Sequence, residues 1–128
     1  MIYIASYFDK KAHFGELMSI SNTEPEGFEV DRKSKTLVPP WEIVDGYKKG
    51  RLTWEEYVEA YNKHLSKEWG TTAMPRFLEK FNGDRDITLL CWCRNEERCH
   101  RSLVADWLEA RGYNVARNEL FGEAKQKA

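Results

Sequence analysis

A chain of 128 residues, 41% of them hydrophobic, has the size of a single domain and can bury one core without disulfides or bound metal. Twenty lysines and arginines against 21 aspartates and glutamates leave a formal net charge of −1, which argues against a strongly basic nucleic-acid surface. No stretch approaches the length of a membrane span, Met1-Ile2-Tyr3-Ile4 lacks the pattern of a secretory signal, and an odd number of cysteines cannot form a full disulfide framework. A cytoplasmic protein with reduced thiols is expected.

The apolar and aromatic run Ile2 to Phe8 reads as a first strand, followed by a charged connection, Asp9 to Phe14, carrying His13. Leu17, Met18 and Ile20 mark a second strand over Glu16 to Ser21. The segment Asn22 to Pro40 holds Pro25, Gly27, Pro39 and Pro40 and has no regular pattern; loops of that length are usually functional or mobile. Pro39-Pro40 suits the start of a short helix, Trp41 to Lys49, which Gly50 ends. Thr53 and Glu56 form a capping box ahead of Trp54, Tyr57, Val58, Tyr61 and Leu65 at helical spacing, so a helix is predicted from Trp54 to Trp69 with Gly70 as its stop. This aromatic stripe reads as core rather than as a base-stacking platform, and His64 on the same helix as solvated. A short helix is predicted over Pro75 to Phe81, and a buried strand over Ile87 to Trp92, with its β-branched and aromatic residues. Leu103, Val104, Trp107 and Leu108 share one face of a further helix that Gly112 closes. Tyr113 to Ala116 reads as a last strand. The expected fold is α/β: a small, mainly parallel sheet sandwiched by helices, a Rossmann-like three-layer arrangement. One domain is expected over 1–121, with a frayed polar tail at 122–128.

All three cysteines, one histidine and three arginines fall between Cys91 and Arg101. Cys91 ends a buried strand and on its own reads as a small core residue. Cys93, two positions on, shares its side if the strand continues. Cys99-His100-Arg101 stands at the mouth of a helix, where unpaired N–H groups favour a thiolate or a bound anion, and Arg98 and Arg101 add to that field. A cysteine so placed is expected to have a lowered pKa and to be the fastest of the three to react. His100 can act as base, ligand or anion donor, or it and Arg101 can simply brace the loop through backbone carbonyls. The cysteine–five residues–arginine loop of phosphatases is absent, since the sixth residues after Cys91, Cys93 and Cys99 are Glu97, Cys99 and Ala105. No Cys-x-x-Cys pair exists either. Cys91, Cys93, Cys99 and His100 are the ligand types zinc takes, but their spacing differs from the usual knuckles.

Several stretches together resemble domain-of-unknown-function family 488. They are Leu89-Leu90-Cys91-Trp92 followed by Cys99-His100-Arg101-Ser102, the opening Ile-Tyr-Ile-Ala-Ser-Tyr-Phe, Ser19-Ile20-Ser21 with Pro25 and Gly27, Leu37-Val38-Pro39-Pro40-Trp41, and Trp54-Glu55-Glu56-Tyr57 with Tyr61. The resemblance runs to about Tyr113. It implies a cytosolic α/β domain with Cys91, Cys99, His100 and Arg101 at its motif, and no settled activity. Family members often carry an acidic residue where this chain has Cys93, which weakens the zinc reading.

The expected function is binding of an anionic small molecule, a nucleotide or phosphorylated metabolite, at the mouth of the Cys99 helix. Arg94, Arg98, Arg101, Ser102 and Arg32 are the candidate ligand-binding residues. Cysteine-based catalysis would use Cys91 or Cys99 with His100 as base. The alternative is a zinc-stabilised or nucleic-acid-binding module without catalysis. No cofactor or metal is expected, zinc being the one left open, and no membrane partner.

Overall fold

The computed structural model describes residues 1–93 and 99–117. Arg94, Arg98 and the tail from 118 onward, including the expected frayed segment 122–128, lie outside the described residues. Five strands form one sheet in which every pairing is parallel: β1 (Ile2–Ser6), β2 (Glu16–Ser19), β3 (Arg32–Lys33), β4 (Ile87–Cys91) and β5 (Val115–Ala116), in the spatial order β3-β2-β4-β1-β5. Four α-helices accompany them among the described residues: α1 (Trp41–Lys48), α2 (Trp54–Trp69), α3 (Met74–Glu79) and α4 (His100–Ala110).

β4 sits in the middle and is buried at all five positions. It runs beside β1 from Ile2↔Ile87 to Ser6↔Cys91 and beside β2 from Glu16↔Ile87 to Ser19↔Leu90. A strand buried on both faces has no polar alternation, which is why Ile87–Cys91 reads as an apolar run broken by Thr88, whose buried hydroxyl donates to the Phe14 carbonyl at 2.7 Å. On one face Ile2, Ile4, Met18, Ile87, Leu89 and Cys91 meet the apolar sides of all four helices. On the other, among the described residues, Ala5, Tyr7 and Leu90 meet a single 3-10 turn at Lys10–Ala12, Leu17 of β2, Phe28 and Val30 of the loop after β2, and the Trp92 ring. The sandwich is therefore three-layered, with one thick helical layer and one thin layer made mostly of loop.

Local chemistry explains the elements. In α2 the amide of Glu56 donates to Thr53 Oγ1 at 3.1 Å and the amide of Thr53 donates to Glu56 Oε1 at 2.9 Å, which satisfies two otherwise open N–H groups. Pro40 starts α1, and Pro75 lies in the first turn of α3. Gly15, at φ 66°, lets β2 begin tight against the residue before β4: a Cβ there would stand 2.0 Å from the carbonyl oxygen of Asp86. Only glycine fits that approach.

Two short elements differ from expectation. β3 is two charged residues inside the long loop; it exists because Asp31 and Ser34 amides reach Leu17 and Ser19 carbonyls at 2.8 and 2.9 Å, a tertiary cause that its own composition does not advertise. β5 is shorter than the predicted Tyr113–Ala116, the Tyr113 hydroxyl instead donating to the Pro75 carbonyl at 3.1 Å. Among the described residues no helix is long and apolar enough to cross a membrane.

The strand order places the site. From β2 the chain moves outward to β3, and from β4 it moves the opposite way to β5. The crevice between the carboxyl ends of β2 and β4 is thus a topological switch point, the place where open α/β sheets receive ligands.

Candidate functional site

A cleft of about 480 Å³ opens at that switch point. Ser21, Asn22 and Thr23, just past β2, form one side, and Trp92 and Cys93, just past β4, the other. The Trp92 indole N–H donates to the Thr23 carbonyl at 2.7 Å and ties the two together. Trp41 and Tyr47 of α1 and Trp54 and Tyr57 of α2 make an aromatic wall, with Lys48 beside it. Trp54 and Tyr57 are stacked, their rings 5.2 Å apart and inclined at 12°. Trp41 is 57% exposed, an unusual position for so large an apolar side chain. The stripe Trp54, Tyr57, Tyr61 is partly core, as the sequence suggests, since Tyr57 and Tyr61 are buried; its leading edge is also cleft wall. His64 is half-buried rather than solvated: its Nε2 lies 3.1 Å from the Thr36 carbonyl, and its ring stacks on Tyr61.

The deep end of the cleft is sulfur and imidazole. Cys91 is the last residue of β4 and Cys99 the residue preceding α4; both are buried. Cys93 is half-buried and reaches the cleft. The three Sγ atoms lie within 4.8 Å of one another, those of Cys91 and Cys99 at 3.2 Å, so the trio can hold a metal ion. What gathers them is packing. β4 must end near Cys91, and Val104, Ala105 and Leu108 draw α4 onto the sheet, which carries its first turn to the same edge.

His100 lines the cleft, and its Nε2 donates to the Ile20 carbonyl at 2.6 Å, which fixes the proton on that nitrogen. Burial lowers its pKa, so the ring is neutral at pH 7. Arg101 is wholly buried. Its Nη1 donates to the Cys93 carbonyl at 2.7 Å and lies 3.8 Å from Cys91 Sγ. Nε and Nη2 are buried with no hydrogen-bond partner among the described residues. Both residues of the motif thus brace backbone, and Arg101 in addition puts a positive charge behind the sulfurs.

That arrangement decides which sulfur carries charge. Thiol hydrogen bonds from Cys91 and then Cys99 hold the Cys93 pKa down to about 3, with His100 and Arg101 adding to the effect. Burial pushes Cys91 up to about 12, and Cys99 is raised, first by its hydrogen bond with Cys91 and then by that with Cys93. The expectation of a lowered pKa at Cys99 is not met: its buried sulfur is held as a thiol by its hydrogen bonds with Cys91 and Cys93, so the charge of the cluster settles on Cys93.

The other candidates scatter. Arg32 lies on edge strand β3, facing Glu16 at 3.6 Å and the Phe77 ring at 4.7 Å, away from the cleft. Ser102 is half-buried in the first turn of α4, its amide donating to the Cys99 carbonyl at 3.1 Å. Arg94 and Arg98 are outside the described residues. Trp41, Tyr47, Lys48 and Asn22 were not among the sequence candidates; the long irregular loop and the Pro-Pro-Trp helix start were the signals that pointed to their region.

A family model described as "Active DUF488-N3 subclade" matches residues 2–112. Comparison with curated proteins and with solved structures gives no match.

Proposed function

The chain belongs to domain-of-unknown-function family 488, in the subclade described as active, and from that premise we propose that its cleft binds a small anionic molecule carrying a flat ring, of the nucleotide class. The observation that carries this reading is the aromatic-walled cleft at the switch point, with a sulfur cluster at its deep end. Its volume lies within the range of about 300–1,000 Å³ common to small-molecule sites. Aromatic faces such as Trp41 and the Trp54–Tyr57 stack suit a heteroaromatic ring, and Asn22, Ser21 and Thr23 supply polar atoms for its edge. Lys48 and the N-terminal end of α4 favour negative charge. Arg101 acts on this ligand only through the sulfurs, because its guanidinium is buried behind them.

A second reading adds chemistry: the Cys93 thiolate, which needs no base, attacks an electrophilic carbon of the bound molecule and forms an S–C bond as the bond from that carbon to its leaving group breaks, the leaving group departing with the electron pair into the cleft. What favours it is that Cys93 is the one cysteine both charged at neutral pH and facing the cleft, in a subclade described as active.

Three of the five tryptophans line the cleft, so their fluorescence reports binding directly. Titration with nucleoside monophosphates is expected to give saturable quenching. Trp41→Ala should weaken it by roughly 5- to 150-fold, the worth of one stacked base, while leaving the urea midpoint nearly unchanged because Trp41 is more than half exposed. Absence of saturable quenching by any of the four nucleotides at millimolar concentration would overturn the proposal.

A further inference from the structure

We propose that Cys91, Cys93 and Cys99 form the seat of one divalent, thiophilic cation of the zinc type, held by three sulfurs with its fourth position turned toward the cleft. Zinc–sulfur bonds of about 2.3 Å set sulfur–sulfur edges of about 3.8 Å in a tetrahedron. The sulfurs of Cys91 and Cys99 stand 3.2 Å apart and no pair of the three exceeds 4.8 Å, so the cluster is within about 1 Å of that edge. Thiolate is a soft ligand that selects zinc-like ions over magnesium or calcium.

The second, independent observation is Arg101. A fully buried guanidinium needs negative charge next to it, yet no carboxylate among the described residues pairs with it, and two of its nitrogens have no hydrogen-bond partner there. Its Nη1 lies 3.8 Å from the Cys91 sulfur and donates to the Cys93 carbonyl at 2.7 Å. Three thiolates and a divalent ion sum to −1, which Arg101 neutralises. A monovalent ion would leave the buried cluster at −1 and a trivalent one at +1. The guanidinium thus selects the charge of the ion as the sulfurs select its chemistry, and its N–H groups are the outer hydrogen-bond donors that metal-bound thiolates take.

Direction follows from burial. Cys91 lies behind, at the end of β4, whereas Cys93 and Cys99 line the cleft, so the open position of a three-sulfur ion faces the space where a ligand or water stands. Zinc sites that keep such a position are the catalytic kind. The unusual spacing is no obstacle: knuckles supply proximity through a local turn, and here the docking of α4 on the sheet supplies it instead. The ion would occupy the lone pair that makes Cys93 nucleophilic, so thiolate attack belongs to the metal-free chain alone.

The inference needs only the sulfurs and Arg101 and stands apart from the nucleotide reading. Cobalt(II), added to metal-free protein, is the probe. The expected result is one ion per chain, sulfur-to-cobalt charge-transfer absorption with the intense visible bands of a four-coordinate site, displacement by zinc(II) and none by magnesium(II). Cys93→Ser, at a half-buried position and checked for fold by circular dichroism, should weaken binding by more than the roughly 10- to 100-fold that loss of an outer partner costs. Trp41→Ala should leave cobalt binding unchanged, so that failure of the cleft proposal and failure of this one are told apart. Lack of the charge-transfer band, or binding retained in Cys93→Ser, would overturn the site.

Discussion

Cys93 gathers the negative charge of the three-cysteine cluster onto one atom. Held as a thiolate by the thiols of Cys91 and Cys99, with a pKa near 3 against about 8.5 for a free cysteine, it is fully charged from pH 8 down to pH 5. In metal-free protein its alkylation rate should therefore stay flat over that range, while a free thiol slows about tenfold per pH unit. Peptide mapping should find Cys91 and Cys99 unmodified in the native state. A rate for Cys93 that falls in parallel with the free thiol would refute the assignment of charge. Arg101→Met tests the other half of the pair. It keeps much of the side-chain length but leaves the sulfur charge without its counter-ion, a loss worth about 3–5 kcal/mol when a buried partner is removed. The urea midpoint should drop accordingly, while Cys93 alkylation should stay flat with pH, because the Cys91 and Cys99 thiols do most to hold its charge; a change below 1 kcal/mol, smaller than that estimate allows, would mean the guanidinium is only a loop brace.

At the level of elements, α2 is the one whose formation the residues state in full. Thr53→Ala removes the acceptor for the Glu56 amide, and the expected cost is about 1 kcal/mol, visible as a lower denaturation midpoint with unchanged slope. An unchanged midpoint would show that α2 is held by its buried face alone. The boundaries of α2 were legible because its signals are local: Thr53, Glu56 and Gly70 act within a turn of where they stand. β4 was legible because burial on both faces leaves an apolar run with Thr88 as its one polar residue. β3 was not, since Arg32 and Lys33 are charged and become a strand only through hydrogen bonds to β2. The motif could be seen to gather at one edge, but the division of labour within it could not. That Cys93 is half-buried and charged while Cys99 is buried as a thiol depends on how α4 seats against β4, and that depth is set by Val104, Ala105 and Leu108 against the sheet rather than by anything near the cysteines. The aromatic wall was hidden for the same reason: periodicity shows that Trp54 and Tyr57 share a face but not that the face ends at an opening.

For the molecule as a whole, an all-parallel sheet also dictates an order of events in time. The first strand of the chain lies inside the sheet, and both of its neighbours, β4 and β5, are made after Ile87. β2 has only the two-residue β3 until then. A growing chain thus carries Ile2–Ser6 and Glu16–Ser19 with no lasting partner until the strand from Ile87 has been made, and the loop that finally joins Ile2 to Ile87 is long. Closing such loops costs entropy before any contact repays it, which makes topologies of this kind slow to fold. A nascent chain stalled before Ile87 should be degraded by protease as readily as an unfolded one, and resistance should appear in a single step once β4 and α4 have emerged; a resistant fragment ending before Ile87 would contradict this. The residues that complete the sheet are the same ones that bring the sulfurs together. Assembly of the cleft and commitment to the native state are therefore one kinetic event, and there is no stage of synthesis at which this protein exposes a formed thiol cluster on an unfinished fold.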